Sequence, residues 1–207
     1  MSRYVFDDLL EVAELNPKVF GRFPTSSHGL VPSEETVSRA EDRLGVKFPE
    51  DYRRMILKWG YLELGSENGF LGLFDSDSER FEPEGFNVVD DTLAARDDIN
   101  LPGNCLVIFN DPGDGDEYGV IDVETGKVLT YDRWDGRLNG EVSDCFIDYV
   151  FSELIEHRRS NEIAYDTPFQ WPEYLKPKID EDAAKIKNLL DEYDEVLDEI
   201  DSEMDES

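Results

Sequence analysis

Apolar residues recur at helical spacing in "VFDDLLEVAEL" (residues 5 to 15), where Val5, Leu9, Val12 and Ala13 predict a short amphipathic helix. "FPTSSHGLVP", ending at Pro32, reads as loop. The next segment is the best punctuated of the chain. Ser33 is a good N-cap, Glu34 and Glu35 suit the positive end of a helix dipole, Val37, Ala40 and Leu44 share a face, and Gly45 supplies a left-handed stop. After "VKF", Pro49 opens a second helix at a position where its missing N–H is harmless. Tyr52, Met55, Ile56 and Trp59 form the inner stripe of that helix, Gly60 ends it, and Phe48 is expected at the corner between the two.

The period then changes from helical to alternating and compact apolar runs. "GFLGLF" (69 to 74) predicts a strand, "DSDSERFEPEG" (75 to 85) a charged loop, and "VVDDTLAARDD" a helical turn or two. "CLVIF" (105 to 109), "EYGVIDV" (117 to 123) and "KVLTY" (127 to 131) predict an antiparallel meander joined by glycine turns, with Leu106, Ile108, Val120, Val128 and Leu129 buried. Ser143 or Asp144 is placed to cap a last core helix in which Phe146, Tyr149, Val150 and Leu154 repeat at helical spacing. The expected fold class is α+β: an antiparallel-dominated sheet, a meander, flanked by helices at its N- and C-terminal ends, plus an acidic C-terminal helix.

The pattern divides the chain into an N-terminal helix and loop (1–30), an α+β domain (31–157), a linker rich in Pro and aromatic residues (158–179) and the acidic helix (180–207). In that last segment Ile186, Leu189, Leu190, Tyr193, Leu197, Ile200 and Met204 mark an apolar stripe. The favoured reading is a helix folded back on its own domain; a partner-binding helix and a frayed, solvating end stay open beside it.

Charge changes the picture more than composition does. Fifty acids against twenty bases give a formal net charge of −30, so nucleic acid and anionic membranes are repelled and a basic protein is attracted. Residues 180–207 hold thirteen acids and two lysines, leaving −19 on the rest, so acidity belongs to the whole chain. The alternative is that the charge serves solubility alone. The N-terminus has no basic region followed by an apolar core, and no apolar run approaches the length of a membrane span; we expect a cytoplasmic protein with Cys105 and Cys145 as reduced thiols.

Chemistry is sparse. "NDPGDGDEYGVID" (110 to 122) imitates a calcium loop, but a loop counted from Asp114 puts Tyr118 and Thr125 where ligands belong, and one counted from Asp111 puts Gly113 and Gly115 there. We read it as a hairpin turn and expect no metal and no cofactor. His28 and His157 are the only histidines, so His-rich zinc sites are absent, and "GDGDEYG" has no helix behind it to hold a phosphate. We expect no enzymatic activity.

"VPSEETVSRAEDRLGVKFPEDYRRMILKWG" (31 to 60) resembles the opening signature of the SMI1/KNR4 family, or SUKH superfamily: a capped acidic helix, a Leu-Gly, an apolar-x-Pro-x-x-Tyr segment and a closing glycine. These are Ser33, Glu34, Leu44, Gly45, Phe48, Pro49, Tyr52 and Gly60. "LVIFNDPGDGDEYGVIDVETGKVLTYD" and "DCFIDYVF" are similar to the second half of the family pattern, in the same order. The resemblance covers roughly residues 30 to 155; the N-terminal helix and residues 158 to 207 lie outside it. It implies an α+β domain without a known catalytic site. For many bacterial members it implies an immunity protein that neutralises a cognate polymorphic toxin; fungal relatives regulate cell-wall synthesis and signalling. The expected partner is a basic toxin protein, a nuclease or another nucleic-acid enzyme being the leading class, and nucleic acid and membrane are not expected. Candidate contacts are Asp111, Asp114, Asp116 and Glu117 in the hairpin turn, Asp75, Asp77 and Glu79 in the charged loop, and Phe81 and Trp171 as apolar anchors.

Overall fold

The computed structural model describes residues 2–20, 31–63, 69–73, 87–110, 117–160 and 169–189. The chain opens with α1 (Phe6–Leu15) and the single turn α2 (Pro17–Phe20), then α3 (Glu34–Leu44) and α4 (Glu50–Trp59). The Ser33 hydroxyl accepts the Thr36 N–H at 3.2 Å, which fixes the start of α3, and Gly45 ends it at φ 72°. The Glu41 side chain, buried at the α3–α4 corner, accepts the Phe48 N–H at 3.1 Å and pairs with Lys47 at 2.7 Å. A donor that would otherwise be orphaned between the helices is thereby satisfied.

A small hairpin follows, β1 (Leu62–Glu63) with β2 (Gly69–Phe70), and then α5 (Val88–Ile99). The main sheet is a four-stranded antiparallel meander, β3 (Cys105–Asn110), β4 (Glu117–Asp122), β5 (Val128–Asp132) and β6 (Arg137–Ser143), in sequential order. α6 (Phe146–Ser160) returns across it, and residues 176–189 form a last helix, α7. The α+β class with a meander between helices is therefore correct.

Three elements differ from expectation. The strand expected over residues 69 to 74 is only the two-residue β2, with Phe74 outside the described residues. α5 is three turns, not one or two, because both ends are capped: the Asn87 side chain accepts the Val89 N–H, and Asn100 closes the helix at φ 59°. Its buried stripe is Val88, Val89, Thr92 and Ala95, diluted in sequence by two Asp pairs. The meander also has a fourth strand. β6 carried no alternation signal because both of its faces are exposed up to Ser143. Neither Ser143 nor Asp144 caps α6; Ser143 ends β6 and donates its hydroxyl to the Cys145 carbonyl, and the helix starts directly at Phe146. Leu129 is half-buried, whereas Leu106, Ile108, Val120 and Val128 are fully buried.

The sheet lies between helices. On one face the Tyr131 hydroxyl donates to the Ile99 carbonyl of α5 at 2.6 Å; on the other Phe109 stacks on Tyr149 of α6, centroids 5.7 Å apart. Gly119 lies opposite Phe109 in the β3–β4 register, and a Cβ there would collide with that ring. Residues Cys105 to Ile108 are buried on both faces, which is why that run reads as continuously apolar. A chain of edge-to-face rings, Phe48, Tyr52, Phe146, Phe70 and Tyr149, joins the helical corner to the sheet. Tyr52, fully buried, donates to the Leu71 carbonyl at 2.7 Å.

Candidate protein-interaction surfaces

Three places on this frame bear on binding. The first is the hairpin turn. Asp111, Asp114 and Asp116 lie outside the described residues, as do Asp75, Asp77, Glu79 and Phe81. Glu117 is described: it starts β4, is half-buried, and accepts a hydrogen bond from the Asn139 amide at 3.0 Å, linking β4 to β6 across β5. The sequence grouped these residues by charge; the structure locates only Glu117 among them.

The second place is the junction of the chain's two ends. Trp171 is half-buried, stacked on Phe151 of α6 with centroids 6.3 Å apart and edge-on to Phe169 at 4.7 Å. Much of its ring is thus committed to intramolecular packing. The strap it belongs to is held by Asn16, whose amide donates to the Gln170 carbonyl at 2.7 Å while its oxygen accepts the Gln170 N–H at 2.8 Å. Beyond the strap, Leu175 and Ile179 are buried in the core. The first turns of α7 are tied to the N-terminus by Arg3, which meets Glu181 at 2.8 Å and Asp182 at 2.6 Å. Tyr4 donates to Asp182 at 2.5 Å and stacks on Phe151 at 3.9 Å. The Arg3 guanidinium, then Lys185, hold the Glu181 carboxyl down at about 2. Burial, then the Asp182 carboxylate, push the Tyr4 phenol up. Residues 169–186 therefore fold back on the domain, and the exposed Leu189 marks where the described stripe leaves it.

The third place, which the sequence did not signal, is the β5–β6 end of the sheet. Asp132 accepts the N–H groups of Trp134 at 2.8 Å and Asp135 at 2.7 Å, and Gly136 completes the turn at φ 62°. Those bonds, the Asp135 N–H foremost, hold the Asp132 carboxyl below its ordinary range. Trp134, Leu138 and Val142 stand exposed along this end.

Among the described residues no group of three or more His, Cys, Asp or Glu could hold a metal ion, and no helix is long and apolar enough to cross a membrane. Cys105 and Cys145 are free, and burial pushes the Cys105 thiol up to about 11.

The sequence model of the SMI1 / KNR4 family (SUKH-1) matches residues 32–152, more than half of the chain. This chain belongs to the SMI1/KNR4 family. The match runs from α3 to the middle of α6, so α1, α2, the strap and α7 are additions around the SMI1/KNR4 domain. Among solved structures, this SMI1/KNR4 chain is similar to a protein from Pseudomonas syringae pv. tomato, with 20% identity, a TM-score of 0.45, and coverage of 64% of this chain and 87% of that one. A comparison with curated proteins gives no match.

Proposed function

We propose that this SMI1/KNR4 protein is an immunity protein, acting in the cytoplasm as a binder without chemistry of its own, that neutralises a cognate basic toxin domain. The observation that carries the reading is the disposition of charge. Against a formal −30, nine Lys and Arg side chains among the described residues are already paired with carboxylates of the same chain. The surplus carboxylates define the field that a partner meets, and that field attracts cations and speeds their encounter. Nucleases and other nucleic-acid enzymes are the leading toxin class, because a cleft that holds phosphates must be positive. The proposed contacts are the acids of the charged loop and hairpin turn, from Asp75 to Glu79 and from Asp111 to Glu117, with Phe81 and the open part of Trp171 as anchors. We take 31–157 as the recognition domain and the two ends as its brace.

The test is capture of partners by the tagged full chain from cells carrying its native locus, washed at low and at moderate salt. One basic toxin fragment, recovered in near-equal amount and retained as salt rises, is the expected result. Recovery of nothing, or of a salt-labile mixture of basic proteins, overturns the immunity reading.

One observation favours a second reading, a regulatory scaffold of the fungal kind that docks through its C-terminal helix: the stripe of α7 continues in sequence through Leu190, Tyr193, Leu197, Ile200 and Met204 past the anchored residues. Removing residues 190–207 leaves the Arg3 and Tyr4 contacts in place. Loss of partner binding in that variant favours the scaffold, and retention favours the immunity protein.

A further inference from the structure

The two edges of the meander are not alike. On the β3 side the Leu71 N–H donates to the Ile108 carbonyl at 2.6 Å, so the chain covers its own edge. On the β6 side no further strand pairs among the described residues. Of the residues with which proteins commonly blunt an edge, "RLNGEVS" contains neither proline nor lysine; its two charged side chains, Arg137 and Glu141, are each engaged within the chain, with Asp135 and Lys127. Its apolar side chains point to solvent, with Leu138 39% and Val142 48% exposed and Trp134 81% exposed in the adjoining turn. That turn is fixed by the Asp132 carboxylate, so the Trp134 backbone is set in advance.

We infer that the outer edge of β6, with Trp134 at its end, is a docking edge for a short, extended, basic segment of a protein partner, which adds to the sheet as a fifth strand. The inference rests on the inhibitor reading only for the partner being a toxin; the edge and the charge are properties of this chain. Residues 117–144 carry seven carboxylates against three bases. The bases are occupied: Lys127 pairs with Glu141, Arg137 with Asp135 at 2.8 Å, and Arg133 lies over the Tyr118 ring at 4.7 Å. Main-chain hydrogen bonds supply affinity in strand addition, and alternate side chains supply selectivity. Here the apolar side chains of the incoming segment would meet Leu138 and Val142, and its cations would share Glu141 with Lys127 and meet Asp144 just past the end of the strand. A second copy is a poorer occupant, since it brings another −30. The register of β5 against β6 shifts twice, between Val128 and Leu129 and between Leu129 and Tyr131, and bulges of this kind twist an edge away from flat pairing. They also limit the addition to a short segment.

The probe is an eight-residue peptide alternating lysine and valine, titrated into the isotope-labelled full chain and followed by backbone amide shifts. The expected result is saturable shifts confined to residues 133–143, with slowed amide exchange in β6. A peptide alternating glutamate and valine, and one alternating lysine and proline, should give neither effect. Trp134→Ala and Val142→Lys, both at exposed positions where the fold tolerates change, should each weaken the lysine–valine peptide tenfold or more. Shifts spread over the carboxylates of α1, α5 and α7 would reduce the binding to charge alone and overturn the inference. Protection of β6 that grows with protein concentration in the absence of peptide would assign the edge to a second copy and overturn it too. A captured toxin that binds both variants as tightly as the parent chain would overturn the docking edge while the immunity reading stands. Specific peptide binding at β6 with no toxin captured would support the edge while the immunity reading falls.

Discussion

Arg96 shows how much one side chain can hold in an acidic protein with no ion pair to a carboxylate among the described residues. Its Nη1 donates to the Leu44 carbonyl at 2.7 Å, and its Nη2 to the carbonyls of Gly103 at 2.6 Å and Cys105 at 3.3 Å. Leu44 is the last residue of α3, where carbonyls lack intrahelical partners and a positive charge is favoured. One guanidinium thus ties α5 to the end of α3 and the start of β3. Among the described residues its Nε has no hydrogen-bond partner, and burial pulls its pKa down, so the site carries a desolvation cost that the three carbonyls help to offset. Arg96→Ala is expected to destabilise by about 1–2 kcal/mol, chiefly the cost of leaving the part-buried Leu44 and Cys105 carbonyls without this donor. Urea unfolding should show a lowered midpoint at unchanged slope. Arg96→Lys, with a single ammonium in place of a fork, should recover only part of the loss. An alanine variant as stable as the parent would mean that water replaces the guanidinium at all three carbonyls.

At the scale of elements, legibility in the sequence followed burial. α3 and α4 were readable because each has one buried stripe and a marked start and stop, from Ser33 to Gly45 and from Pro49 to Gly60. β3 was readable because Cys105 to Ile108 are buried on both sides. β6 was not, since its side chains meet solvent and its pairing with β5 is a backbone matter that no alternation records. The docking edge inferred above was hidden for the same reason: an edge is defined by what fails to pair with it. Nor could the sequence show that Asn16, an unremarked polar residue after α1, holds a segment more than 150 positions away. Buried Asn16 satisfies both main-chain groups of Gln170, as a neighbouring strand would. Asn16→Ala should cost about 1 kcal/mol and act locally. Amide exchange and protease cleavage should rise within residues 169–189 while β3 to β5 stay protected, since local opening is governed by the contacts of the element concerned. Unchanged protection of 169–189 would show that Leu175, Ile179 and Trp171 hold the strap unaided.

The whole molecule folds against its own charge, and its response to acid combines two effects of opposite sign. Burial raises the Asp51 and Asp91 carboxyls, so the folded state takes up their protons first and stability increases as pH falls through those raised values. Glu181, held at about 2 by Arg3 and then Lys185, behaves in the opposite way, as do Asp132, held low by the Asp135 N–H, and Glu34, held low by Arg53. Their contribution is complete above the ordinary carboxylate range and is lost as pH falls below it toward the folded values. General repulsion among fifty acids adds to the first effect, because protonation relieves it most in the compact state. The melting temperature should therefore rise from pH 7 to a maximum near pH 5, about the lower end of the usual range, and fall steeply below about pH 4, where unfolded carboxylates protonate. Salt separates the two effects. At pH 7, raising ionic strength from 0.01 to 0.1 M shortens the screening length from about 30 Å to about 10 Å. It should raise the melting temperature, because repulsion is long-ranged and the ion pairs at Arg3 are close. At pH 3 most carboxylates are neutral and the twenty Lys and Arg make the net charge positive but smaller in size than 30, so the same addition should raise the melting temperature less than at pH 7, the surviving pairs being screened as well. A melting temperature indifferent to salt at pH 7 would mean that the paired Lys and Arg side chains neutralise the surface locally, and the attraction of a basic partner would then have to come from one face alone.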